Sequence, residues 1–178
     1  AGTDITSAMQ PSEPLKYLYI MEKDGQQQEF DQYPMEGDYT FKEMKLVNPE
    51  AQPKITDYNI WNDDGDYTTA SFEGVKLLVV VHDVSHTDQD SYADINQLLQ
   101  NLEGELDSWA FTSASKASFE EYRHDVQLAT PYYFADATVL KTVIRSNPGI
   151  VLLKDGVVMG KWHHNDVPSG AEIRMLSQ

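Results

Sequence analysis

The stretch "VKLLVVVH", residues 75–82, constrains the fold more than any other. A strand with one wet face alternates apolar and polar residues, whereas this run stays apolar and must be covered on both faces, as in a parallel sheet. A helical pattern follows it. In "SYADINQLLQNLEGEL" the apolar positions Tyr92, Ile95, Leu98, Leu99, Leu102 and Leu106 recur at spacings of three and four, with Ser91 or Asp90 placed to cap the first turn. "SWAFTS", 108–113, reads as the next strand. Strand, helix and strand at this spacing form a βαβ unit, whose crossover is almost always right-handed and whose strands pair in parallel.

The rest of the chain extends that unit. A second amphipathic helix is predicted over 115–126, with Phe119, Tyr122 and Val126 on one face, and "TPYYFAD" then runs extended. Ala137, Leu140 and Ile144 mark a short third helix. "GIVLL" and "VVMGKW" flank Lys154-Asp155-Gly156 and read as an antiparallel hairpin with Asp-Gly at its tip, and "SGAEIRMLSQ" as a terminal helix. Upstream, "ITDYNIW" reads as a short strand and "NDDGD" as a turn. "LKYLYIMEKDGQQQEF" alternates with a period near two and breaks at Asp24-Gly25, a second hairpin, and "YTFKEMKLV" is a further strand. The organisation expected is a leader or linker over 1–14, a β-rich extension over 15–52 and the main domain over 53–178. The fold class is α/β, a mixed sheet flanked by helices with an N-terminal β-hairpin extension.

Composition excludes several function classes. Thirteen basic against twenty-nine acidic residues give a net charge of −16, which repels nucleic acid phosphates and anionic headgroups. The acidic surplus reads as solubility. With no cysteine there is no disulfide, no thiolate nucleophile and no cysteine-ligated metal. Nothing in the sequence calls for a cofactor. The longest apolar run falls far short of the roughly 20 residues that span a bilayer, so this stretch of chain is not expected to insert into a membrane. Its start, "AGTDITS", lacks an initiator Met and the pattern of a signal peptide, and reads as a processed piece.

The element order, with Pro148 immediately before the last hairpin, resembles the thioredoxin-like fold across residues 53–166. That resemblance implies a cis peptide bond at Asn147-Pro148 facing the N-terminus of the first helix. More narrowly, "LKTVIRSNPGIVLLKDGVVMGKWHHNDVP", "LYIMEKDGQQQEF" and the opening "GTDI" resemble the soluble C-terminal part of a bacterial family whose N-terminal half is a DoxX-like membrane bundle. The resemblance implies a domain at the periplasmic face of the inner membrane, tethered through upstream spanning helices. Its implied partner is that membrane module or a periplasmic protein. The thioredoxin redox pair would stand at "HDVSHTDQDS", where this chain has Ser85, His86, Thr87 and Asp88. Hydroxyl and carboxylate groups cannot replace a thiolate in disulfide exchange. The expectation is a redox-inactive accessory domain with a ligand- or partner-binding face at Ser85, His86, Thr87, Asp88, Asn147 and Pro148, and no catalytic residue.

Other constellations are weaker. His82, Asp83, His86, Asp88 and Asp90 precede a helix and offer imidazole and carboxylate ligands. The alternative function is therefore a metal-dependent enzyme or metal-binding domain using His82, His86 and Asp88, although Asp and Ser at a helix start ordinarily serve as caps. His163 and His164 are adjacent and, on a strand, would point to opposite faces. Asn62, Asp64, Asp66 and Glu73 follow a calcium-loop spacing but have Tyr67 where that loop needs glycine, so an ordinary turn is expected. Tyr132, Tyr133 and Phe134 read as strand packing rather than a ligand shelf.

Overall fold

Asp24 and Gly25 turn the chain with φ of 54° and 77°, the paired positive angles of a two-residue hairpin turn. Tyr17–Lys23 (β1) thereby folds back antiparallel on Gln26–Phe30 (β2), and Thr40–Leu46 (β3) pairs with the other side of β1. The computed structural model describes residues 4–52 and 56–178. The three-stranded sheet, ordered β2-β1-β3, belongs to a compact unit, Ser7–Thr56; a second unit runs from Asp57 to Gln178 and takes in the first residues of the chain. Within the stretch read as a leader, Ile5–Ala8 forms one helical turn (α1) and Asp4 bridges Val157. The start of "GTDI" and the boundary expected at Pro53 lie outside the described residues.

In the larger unit the strand expected over "ITDYNIW" is confined to Trp61–Asn62 (β4), which turns antiparallel onto Gly65–Asp66 (β5); Ile55 lies outside the described residues. Ile60 joins no ladder. Its N–H donates to the Thr68 hydroxyl at 2.9 Å and its carbonyl accepts from the Tyr67 N–H at 2.7 Å. Val75–Val81 (β6) follows, then Tyr92–Asn101 (α2), Asp107–Thr112 (β7), Lys116–Asp125 (α3), Tyr132–Phe134 (β8) and Ala137–Val143 (α4). Gly149–Lys154 (β9), Val157–His163 (β10) and Gly170–Leu176 (α5) complete the unit.

The seven described strands of this sheet run in the order β10-β9-β6-β7-β8-β4-β5. The pairs β6–β7 and β7–β8 are parallel, as the βαβ reading requires, and β9, β10, β4 and β5 are antiparallel to their neighbours. Leu77, Val79 and Val81 pack with Ile95 and Leu98 of α2, Phe119 of α3 and Ile173 of α5. Leu78 and Val80, which point the other way along the pleat, are also buried. Both faces of β6 are thus covered, and each fully buried aliphatic side chain there contributes about 1.5–3 kcal/mol.

Two helix boundaries differ from expectation. α2 stops at Asn101, because the chain reverses through Gly104 at φ 79°; Leu102 is fully buried, but as part of the exit turn. At its start neither Asp90 nor Ser91 caps by side chain. Asp88 does so instead, accepting from the Ser91 N–H at 2.9 Å. The caps of α3, α4 and α5 are Ser115, Asp136 and Ser169, each accepting from a backbone N–H of the first turn.

Candidate functional site

β6 delivers His82 and Asp83 at its C-terminal end, and a 3-10 turn, Val84–His86, carries the chain toward α2. The turn forms because Asp83 holds it. Its Oδ1 accepts from the Ser85 N–H at 2.9 Å and the Ser85 hydroxyl at 2.6 Å, while Oδ2 lies 3.1 Å from His86 Nδ1. The Ser85 hydroxyl, then its N–H, push the Asp83 carboxyl down to about 2, and His86 assists. Ser91, whose N–H donates to it, likewise lowers the Asp88 carboxyl.

Ser85, His86 and Asp83 share the residue types of a nucleophilic triad, but the geometry is wrong for one. A triad needs serine to donate to one imidazole nitrogen while the carboxylate holds the other. Here the serine hydroxyl lies against the carboxylate itself, and the same Nδ1 faces both partners, 2.9 Å from Ser85 Oγ. The cluster is a turn cap.

Asn147 closes the other side. The Asn147-Pro148 peptide bond is cis, as expected, and Pro148 is buried. The Asn147 carbonyl accepts from the Asp88 N–H at 3.0 Å, and its side-chain amide donates to the Asp83 carbonyl at 2.6 Å and the His86 carbonyl at 2.9 Å. Its Oδ1 faces the Asp83 N–H at 3.4 Å. Ser85, His86, Asp88, Asn147 and Pro148 are therefore brought together, with Ser85 and His86 exposed on the outside. Thr87 sits in the same loop but faces inward, its hydroxyl 3.3 Å from the Tyr122 hydroxyl. Burial raises the Tyr122 phenol and that of neighbouring Tyr92. Tyr122 entered the sequence reading only as a core position, and nothing in its helical spacing signals a hydroxyl contact across thirty-five residues.

The alternative metal set does not converge. His82 Nε2 lies 3.3 Å from the Arg145 carbonyl, His86 is held by Asp83, and Asp88 caps α2. Among the described residues no three His, Cys, Asp or Glu side chains are grouped to hold a metal ion. The calcium-like series is a pair of turn bonds, Asp64 N–H to Asn62 Oδ1 and Thr68 N–H to Asp66 Oδ1. Tyr133 is buried against Trp109, with ring centroids 4.3 Å apart, and Tyr132 donates to Glu120, so this strand is packing. One expectation is overturned: His163 and His164 do not diverge. β10 ends at His163, so His164 begins a turn and its ring lies 3.9 Å from that of His163, with its backbone N–H donating to Ser146 Oγ.

No family model and no curated protein matches this sequence. Solved structures do. A thiol-disulfide oxidoreductase from Bacteroides fragilis superposes with a TM-score of 0.53 at 11% identity, covering 67% of this chain and 96% of that one. The fold is thioredoxin-like. A secreted disulfide oxidoreductase of Mycobacterium tuberculosis (TM-score 0.48, 12% identity, 68% and 94% covered) is also similar. So is an exposed lipoprotein thioredoxin of Streptococcus pneumoniae (0.47, 14%, 68% and 98%). This thioredoxin-like chain differs from any thiol oxidoreductase in one decisive respect: it has no cysteine. Among its described residues no helix is long and apolar enough to cross a membrane.

Proposed function

We propose that this chain is a redox-inactive thioredoxin-like accessory domain of a DoxX-like membrane protein, held at the periplasmic face of the inner membrane. In this reading, the face that carries thiols in redox-active relatives of the fold binds a partner, either the protein's own spanning module or a periplasmic protein. The observation that carries the reading is the bracket formed by Asn147, which consumes the Asp83 and His86 carbonyls and the Asp88 N–H and leaves Ser85 and His86 as a fixed polar surface. A fixed surface without a thiol suits recognition rather than disulfide exchange.

The test has two parts. The complete reading frame should encode spanning helices in frame before residue 1; a frame in which a secretion signal alone precedes it removes the tether. Cross-linking from a photoreactive residue at position 85 or 86 in the intact protein should then trap the membrane module or a periplasmic protein. Capture of neither would count against the binding face.

A further inference from the structure

Eight of the thirteen basic residues lie in the larger unit, and most are neutralised. Lys76 meets Asp107, Lys116 meets Asp63, Arg123 meets Glu120 and Arg174 meets Glu105, while Lys154 donates to the main-chain oxygen of Gln178. The other three, Lys141, Arg145 and Lys161, share one open groove of about 830 Å³. Among the described residues none of the three has a carboxylate within ion-pair distance. Val143 and Ile144, both half-buried, and His82 also line it.

Lys161 has a structural role of its own. Lys161 Nζ donates to the Val143 carbonyl at 2.6 Å, capping the C-terminus of α4, where a cation is favoured. That explains Lys161 and leaves Lys141 and Arg145, both exposed and without an internal partner. Three like charges gathered in one groove of a chain of net charge −16 repel one another unless an anion lies among them.

The groove also selects among anions. A compact phosphate is held best where backbone N–H groups converge, as at a helix N-terminus, and this groove offers it only separate side-chain cations at the carbonyl end of α4. Nucleic acid and anionic bilayers extend well beyond the groove onto the acidic remainder of the surface, which repels them. A short segment carrying a few carboxylates interacts only within a Debye length of about 8 Å at physiological salt, so it senses the groove and little else. We propose that this groove binds an acidic peptide segment of a partner protein, its carboxylates pairing with Lys141, Arg145 and Lys161 and its apolar side chains lying on Val143 and Ile144. The site is separate from the Ser85–Asp88 face and stands whether or not that face binds anything.

The experiment is fluorescence anisotropy on the intact chain with a labelled peptide alternating glutamate and leucine, against a control alternating lysine and leucine. The acidic peptide should bind at low ionic strength, and the K141S/R145S double variant, which breaks no internal bond, should weaken it about tenfold or more. Adding K161S should weaken it further, and K116S, which does not line the groove, should leave it unchanged. Loop variants at Ser85 and His86 should also leave it unchanged, which separates this site from the face proposed above. No binding of the acidic peptide, equal binding of the basic one, or indifference to the double variant overturns the proposal. So does binding of inorganic phosphate or phosphatidylserine vesicles in place of the acidic peptide.

Discussion

Truncating Asn147 isolates what holds the loop over the helix start. Asn147→Ala removes the amide that donates to the Asp83 and His86 carbonyls at 2.6 and 2.9 Å, and the weaker 3.4 Å contact to the Asp83 N–H, while the backbone bond to Asp88 survives. At about 1 kcal/mol for each of the two short bonds, with the long one counting little and water reaching this half-buried site, the expected loss is about 2 kcal/mol. For a unit of this size that corresponds to roughly 8 °C in melting temperature. Trp61, Trp109 and Trp162 all belong to the larger unit, so a tryptophan-fluorescence melt reads that unit alone. Asn147→Asp sharpens the test. It removes both donors and sets a carboxylate against the two carbonyls, close to Asp83 and Asp88, so at neutral pH it should melt below the alanine variant. If the alanine variant melts within about 2 °C of wild type, or the aspartate variant above it, Asn147 does not secure the loop and the bracket has been misread.

Three further outcomes are expected. Insulin-reduction and peroxide-consumption assays on the chain should stay at the buffer control, since its only sulfur is methionine thioether, which is no exchange nucleophile; turnover above control would overturn the redox-inactive reading. The Asp83 carboxyl is depressed in the folded state to about 2 from an ordinary 3.8, so its contribution is complete above the ordinary value and fades as pH falls through the folded one. A carbon-detected NMR titration should place its midpoint near 2, and Ser85→Ala should move it up toward 3.8; a midpoint already at 3.8 in wild type refutes the cap. Finally, a Cβ on Gly149 would sit 2.7 Å from two Ile144 side-chain atoms, so Gly149→Ala should cost about 1–3 kcal/mol by overpacking. Pairing it with Ile144→Val, which clears some of that space, should recover part of the loss in a denaturant titration.

Legibility in the sequence followed the range of the interaction. "VKLLVVV" announces burial on two faces by composition alone, and the spacing from Tyr92 to Leu98 places a helix beside it, so the central βαβ unit could be read residue by residue. "ITDYNIW" misled because β-propensity was satisfied without a ladder: Ile60 is buried, but its backbone bonds to Thr68 and Tyr67. Leu102 kept helical spacing in a turn for a related reason, since burial rewards the position of a side chain and not the backbone that supplies it. The candidate face was legible where a local cue existed, the proline before the hairpin, but the bonds from Asn147 to Asp83 span sixty-four residues and have no signature. The groove was invisible for the same reason: Lys141, Arg145 and Lys161 look like scattered surface charges until β10 brings the last beside α4.

The outer strands of the larger sheet carry a consequence for how this protein fails. At one rim β10 is interrupted by a bulge between Val158 and Gly160 and presents the exposed Lys161; at the other, β5 is two residues long and ends in the exposed Asp66. Bulges, lysine and very short rims are the features that discourage strand addition between molecules. The segment most suited to fibril growth, the β-branched and leucine-rich run of β6, is locked between β9 and β7 in the middle of the sheet. This sheet therefore offers no ready template in the native state, and aggregation through β6 must wait for it to open, so loss of protein by that route should track the rate at which the larger unit unfolds.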